Sequence, residues 1–334
     1  MEPVGVGIIG ARTGGNQAPG FINDPRISHV VMCDIDEDRL AERAEQLDLD
    51  ETTTDWTTLL DRRDIGIISV AAPDHLHRDM SIAAMEAGKH VLCEKPMAMN
   101  LQEAREMIEA VEATGKKLMV NNILRFFERF KYVKRIVDEG QLGEIYAAEG
   151  DYLHDTLKLI REGWRGPHRH SVTTGGGVHL LDLLRWIVGE IEEVFCYSTY
   201  GVLTKDEARS PDCMVSVLRF ENGAVGKSMT NMAAQRPPLH NFILYGTEGV
   251  FVNGKPHGMI YRGHDDEGEK VTATYGAVSE EGGTKHVAVA HLLDAIENDT
   301  EPLVSVYEGA RTLAVCDAIF ESSRTGAAVP VEPL

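Results

Sequence analysis

Apolar and polar positions in the first third of this chain alternate in blocks rather than residue by residue. Val4 to Ile9 is a nearly continuous apolar run that stops at Gly10, as a strand buried on both faces does. His29 to Cys33 makes a second run, closed by Asp34, and Ile65 to Ala72 a third, ending at Pro73. Between and after them the spacing is helical. Asp36 to Leu47 carries Leu40, Ala44 and Leu47 on one face, Met80 to Ala87 stops at Gly88, and Leu101 to Ala113 stops at Gly115. Val91-Leu92-Cys93 and Lys117 to Val120 supply two more strands. Strand and helix in regular alternation predict a doubly wound parallel sheet.

After Asn122 the alternation fades and longer β-rich segments take over: Tyr146 to Tyr152, Val194 to Tyr200, Met214 to Phe220, Ala224 to Met229 and Asn241 to Tyr245. Glu221-Asn222-Gly223 between two of them is a hairpin signal. A large, mainly antiparallel sheet with helices on one face is the expected result. The expected fold class is therefore α/β, with a Rossmann-type parallel sheet over residues 1–122 and an α+β domain over residues 123–334.

Composition narrows the setting. A length of 334 residues suits two domains. The net charge of −20 argues against nucleic acid or an anionic membrane as partner, since both would be repelled. No apolar run approaches the roughly 18 residues of a membrane span. The start, MEPVGVGIIG, lacks the basic region of a secretory signal. Five cysteines without CxxC spacing read as reduced thiols, so a cytoplasmic protein is expected. Arginines outnumber lysines, a balance suited to a high-salt interior.

Two stretches carry the chemistry. In a parallel sheet of this kind the turn after the first strand takes a pyrophosphate on backbone N–H groups. The frame here is Gly10-Ala11-Arg12-Thr13-Gly14-Gly15, with Arg12 where GxGxxG has its middle glycine. Arg12 must either point outward or touch a phosphate. Asp34, ending the second strand, is placed to accept ribose hydroxyls, which favours NAD; Arg12 keeps NADP in view. The second stretch is Val91-Leu92-Cys93-Glu94-Lys95-Pro96, which brings Lys95 to the carboxyl end of a strand on a stiff turn. Partial desolvation there lets a lysine serve as acid, base or hydrogen-bond donor to a substrate hydroxyl. Histidine is the natural base near neutral pH, and His179 begins a helix, Val178 to Val188, after Gly175-Gly176-Gly177. Asp182, one turn on, could orient it or bind substrate. His75-x-His77 and His168-x-His170 lack cysteine or carboxylate partners at ligand spacing, so no metal is expected.

The ordered set of motifs resembles the Gfo/Idh/MocA-type oxidoreductases. It comprises the dinucleotide turn, Ala72-Pro73-Asp74-His75-Leu76-His77, Glu94-Lys95-Pro96, Leu124-Arg125-Phe126, Gly140 to Ile145, Gly175 to Asp182, and the closing run to Val329. The resemblance covers nearly the whole chain. It implies hydride transfer between NAD, or NADP, and a secondary alcohol of a sugar or cyclitol, in a cleft between the two domains. Lys95 would hydrogen-bond the reacting oxygen, with His179 as base in oxidation. Ala72, Pro73, His77 and Glu94 would sit with the cofactor, and the Lys95–Pro96 bond would be cis. Asn122, Tyr152, His154, Trp164, Arg165 and His286 would join Lys95 and Asp182 around the substrate. Many relatives carry an aspartate four positions before the histidine. Here that position is Gly175, with Asp151, His154 and Asp155 as candidate substitutes. The resemblance also implies a homodimer or homotetramer through the second domain's sheet. Two rival readings are an NAD-dependent glycoside hydrolase working by transient oxidation and a non-enzymatic dinucleotide-binding regulator.

Overall fold

The computed structural model describes residues 2–163, 171–208, 210–273 and 283–334. The chain divides into two compact units, residues 1–123 with 277–310, and residues 124–276 with 311–334.

The first unit holds six strands: β1 (Val4–Ile9), β2 (Ile27–Cys33), β3 (Glu51–Thr53), β4 (Ile65–Val70), β5 (His90–Cys93) and β6 (Leu118–Val120). All are parallel, in the order β3-β2-β1-β4-β5-β6. Helices α1 (Ala18–Ile22), α2 (Glu37–Leu47), α3 (Thr57–Asp61), α4 (His77–Glu86) and α5 (Leu101–Thr114) lie between them. Val6, Ile8, Ile68 and Val91 are fully buried, which is why these strands read as unbroken apolar runs. Asp36 caps α2 by accepting the Arg39 N–H, and Asn100 caps α5 by accepting that of Glu103. The strand order reverses between β1 and β4, where such sheets open a crevice at their carboxyl ends. Helix Gly283–Glu297 returns to this unit and packs on α1, with a Cβ at Gly20 3.2 Å from the His286 Cα. A single cut at residue 122 has no place for that return.

The second unit is a mixed, largely antiparallel sheet. After α6 (Glu128–Asp138) come β7 (Ile145–Leu153), α7 (Leu157–Arg161), α8 (Val178–Val188), β8 (Ile191–Thr199), β9 (Cys213–Phe220) and β10 (Val225–Asn231). Then follow β11 (Leu239–Gly246), β12 (Val250–Val252), β13 (Gly258–Tyr261), β14 (Glu269–Val271) and β15 (Val329–Pro330). Their order is β14-β13-β12-β11-β7-β10-β9-β8-β15, with only the β7–β10 pair parallel. The β9–β10 hairpin turns at Glu221-Asn222-Gly223, where Gly223 takes a φ of 88°. Alternation along β9 and β10 buries one face and exposes the other. The buried face meets α8: a side chain at Gly150 would lie 2.9 Å from Leu184 Cδ1.

Beneath α8 lies a wholly buried ion pair. Arg125 donates from Nε to Asp182 Oδ2 at 2.8 Å and from Nη2 to Oδ1 at 2.9 Å. Thr312 Oγ1 adds a bond to Oδ1 at 3.1 Å and itself accepts from Arg185 at 2.7 Å. Removing one partner strands the other charge in the core. Asp182→Ala and Arg125→Met are each expected to lower unfolding free energy by about 3–5 kcal/mol in denaturant titrations. A loss below about 1 kcal/mol in both would show that the pair contributes little.

Candidate functional site

At the carboxyl edge of the parallel sheet, backbone and side chains form a cradle that fits a dinucleotide. Gly10 has a φ of 104°, and a Cβ there would stand 2.3 Å from the Ala71 carbonyl oxygen. A Cβ on Gly14 would stand 2.4 Å from Ile8 Cγ2. Both positions therefore exclude side chains. The amides of Gly14 and Gly15 are used inside the turn, bonding the carbonyls of Gly10 and Ala11. Those of Arg12 and Thr13 make no such bond among the described residues. The Arg12 side chain is exposed, so the residue in the middle-glycine position points outward. Asp34 is held in place: Oδ2 accepts the Ala11 N–H at 2.8 Å and Oδ1 that of Asp36 at 3.0 Å. Arg39 stands beside it, Nη1 3.3 Å from Oδ1. Ile35, the next residue, leaves 88% of its surface in solvent, an apolar shelf at the same strand end.

The other side of the edge is tied together by Glu94. Ser69 Oγ donates to Gln17 Oε1 at 2.5 Å, and Gln17 Nε2 donates to Glu94 Oε1 at 2.6 Å. Asn121 Nδ2 donates to the same oxygen at 2.8 Å, and the Lys95 N–H to Oε2 at 3.3 Å. All four side chains are buried. Asn122, buried next to Asn121, has neither amide atom bonded to any described residue. Buried polar groups are rarely left so unless a ligand or water completes them, so this edge is built to receive a polar group.

His77 locks the turn that presents Lys95. Its Nδ1 lies 2.7 Å from the Pro96 carbonyl oxygen and its Nε2 2.8 Å from that of Ala72. Two carbonyls can both be satisfied only if both ring nitrogens carry hydrogen, as in imidazolium. Burial opposes that charge, but Cys93, Asp74 and the Pro96 carbonyl outweigh it and raise the imidazole to about 9. The loop from Ala72 and Pro73 is thereby stapled to the Lys95–Pro96 peptide, which is cis.

In the second unit His179 opens α8 behind a π-helical turn, Thr173–Gly177. The glycines there have a steric cause: a Cβ on Gly176 would meet Met232 at 2.6 Å and Tyr152 at 2.7 Å. Tyr152 is the centre of an aromatic wall. Its ring stacks on His154 at 4.1 Å and on His179 at 5.6 Å, and lies 5.5 Å from His240. Sequence reasoning missed His240. The period-2 signal was available, since His240 sits two positions before the buried Phe242 and pairs with Tyr152 across β7 and β11.

Several expectations need correcting or placing. Asp182 neither orients His179 nor faces a ligand: its two oxygens are taken by Arg125 and Thr312, at 0% exposure. Asp151 is no substitute for the side chain missing at Gly175. It projects from the opposite sheet face to Tyr152, where Lys227 and Asn241 donate to it at 2.8 and 3.0 Å. Asp155 is exposed and accepts from Gln235. His154, in contrast, stands with His179 around Tyr152. His286 belongs to the first unit, against α1, with Nδ1 buried and unbonded among the described residues. Trp164, Arg165, His168 and His170 lie outside the described residues. Gln17, Ser69 and Asn121 were also missed; nothing in local pattern marks a buried amide. Arg39 and Ile35 adjoin Asp34 in the sequence and could have been read from it.

Strand order, glycine turn and terminal acid define a dinucleotide-binding fold. The chain matches the oxidoreductase family NAD-binding Rossmann fold over residues 4–122 and the family's C-terminal alpha/beta domain over residues 134–332. It belongs to the Gfo/Idh/MocA family, and its first unit is an NAD-binding domain. It is 28% identical over 345 residues to the 1,5-anhydro-D-fructose reductase of Ensifer adhaerens, a match covering 98% of each chain. It is 30% identical over 248 residues to the levoglucosan dehydrogenase of Pseudarthrobacter phenanthrenivorans. That match spans 66% of this chain and 64% of the relative, less than two thirds of its length. Among solved structures, a levoglucosan dehydrogenase in complex with NADH and levoglucosan superposes with a TM-score of 0.89 at 26% identity, over 100% of both chains. No helix among the described residues is long and apolar enough to cross a membrane.

The His77 bridge has a pH signature. The ring binds its proton more tightly folded, at about 9, than at its ordinary value of 6.5. Its stabilisation is therefore complete below about pH 6.5 and lost as pH rises through about 9. His77→Gln is expected to cost about 2–3 kcal/mol at pH 6 and much less at pH 9.5, read from melting curves across that range. A pH-independent difference would remove the charge from the account.

Proposed function

We propose that this chain is an NAD-dependent dehydrogenase that oxidises a secondary alcohol of a sugar or cyclitol to the carbonyl. Bound NAD supplies the hydride acceptor. The observation that carries the reading is the turn at the end of β5, where Glu94 and His77 hold the backbone of Lys95 rigid at the edge that the glycine turn and Asp34 equip for a dinucleotide. Lys95 hydrogen-bonds the reacting hydroxyl and His179 receives its proton in oxidation and returns it in reduction. Tyr152, His154 and His240 form the wall that keeps the His179 ring in one orientation. Rings of this kind suit stacking and hydrogen bonding to a polyol. The relatives' names, a levoglucosan dehydrogenase and a 1,5-anhydro-D-fructose reductase, support a sugar as substrate. With Asp34 held for ribose hydroxyls, NAD is preferred over NADP, whose 2′-phosphate it would repel.

We further propose that the exposed face of the second unit's sheet pairs with a second copy of the chain. Tyr197, Val215, Val217 and Val225 stand on adjacent strands of that face, with 72%, 40%, 57% and 52% of their surfaces exposed. So much apolar surface in one place is unusual unless it is covered.

Net NADH production with free monosaccharides or inositols is the expected outcome of a substrate panel. Glycoside cleavage without net NADH would mark a hydrolase, and NAD binding without turnover a regulator. Lys95→Ala and His179→Ala are each expected to lower kcat at least about 100-fold while sparing NAD affinity; wild-type turnover in either would refute its role. Val217→Lys is expected to shift the light-scattering mass to that of one chain at low micromolar concentration, and an unchanged mass would move the interface elsewhere.

A further inference from the structure

The two halves of the first unit's sheet end their second strands alike. β2 runs through Cys33 into Asp34, and β5 runs through Cys93 into Glu94. In a doubly wound sheet of this order each half takes one mononucleotide of a dinucleotide. Asp34 stands in the half built on β1, β2 and β3; Glu94 stands in the half built on β4, β5 and β6. The first acid thus serves the adenosine side, and the second falls to the nicotinamide side.

The donors that fix Glu94 differ in kind from those at Asp34. Asp34 has a guanidinium beside it, Arg39 Nη1 at 3.3 Å. The bonds that fix Glu94 come from neutral amides: Gln17 Nε2 at 2.6 Å, Asn121 Nδ2 at 2.8 Å and the Lys95 backbone N–H at 3.3 Å. Ser69 sets the polarity of the set. By donating to Gln17 Oε1 it leaves the Gln17 NH2 group aimed at Glu94. Every hydrogen in these bonds is therefore supplied to Glu94, which accepts with both oxygens as a carboxylate does. Amide dipoles spread a carboxylate's charge without cancelling it, and at 9% exposure water screens it little.

Oxidised and reduced nicotinamides differ by one positive charge on the ring. We propose that Glu94 is a redox-state selector, its fixed negative charge favouring the oxidised cofactor over the reduced one at this site. The inference rests on dinucleotide binding in the first unit and deepens the reading given above. Selection in this sense eases release of NADH after oxidation of the alcohol.

The test measures affinities of NAD+, NADH and ADP-ribose for the full-length protein by calorimetry, with no substrate present. Glu94→Gln is expected to weaken NAD+ about 10-fold relative to NADH, to leave ADP-ribose within about 2-fold, and to keep the fold by circular dichroism. Glu94→Ala removes the charge without setting a new N–H against the donors of Gln17 and Asn121. It should give the same relative change, and it stands in if the first variant does not fold. Glu94→Asp keeps the charge and should hold the NAD+ to NADH ratio within about 3-fold of wild type. Equal loss of NAD+ and NADH affinity in Gln and Ala variants would reduce Glu94 to a structural tie and overturn the proposal. Absence of dinucleotide binding by the wild type would be a different failure, that of the functional reading itself.

Discussion

A carboxylate taken out of water must be given hydrogen-bond donors, and the first unit is arranged around supplying them to Glu94. Its donors come from three separate places: Gln17 just after the glycine turn, Asn121 beyond β6, and the backbone of Lys95. Ser69, on β4, holds the Gln17 amide in the one orientation that works. Gln17, Ser69 and Asn121 are distant from Glu94 in sequence, yet with it they tie the dinucleotide turn to the lysine turn. Loss of any of these amides would leave Glu94 under-solvated and let the two turns move separately.

His77 applies the same logic with the opposite sign. There the buried group is a donor on both sides, and two backbone carbonyls, of Ala72 and Pro96, meet it. The Lys95–Pro96 turn is thus gripped from both ends, by an acid that accepts the Lys95 N–H and an imidazole that donates to the Pro96 carbonyl. Rigid presentation of an amine is what proton handling requires, because a misplaced donor forfeits orientation.

In the second unit the buried ion pair is spent on structure, and the histidines stand together on an aromatic wall. Asp182 follows His179 by one helical turn and looks in the sequence like its natural partner. The helix instead turns Asp182 inward to Arg125 and Thr312. His179 keeps company with Tyr152, His154 and His240, brought together because alternate positions of β7 and β11 face α8.

Much of this was legible along the chain. Buried parallel strands read as apolar runs because both their faces are covered, helix ends carried their caps at Asp36, Asn100 and Gly115, and the second unit's strands alternated because one face stays in solvent. The positions of Asp34, the glycine turn and Lys95 could be read because each follows the end of an apolar strand run, which local pattern marks. Gln17 and Asn121 could not, nor could the fate of Asp182 and Asp151. Their partners lie tens of residues away or more, and a hydrogen bond or ring contact made across such a distance leaves no local trace. What propensity and periodicity determined was which segments are strands and helices and where they end; which buried polar group answers which was decided only when packing brought them within bonding distance.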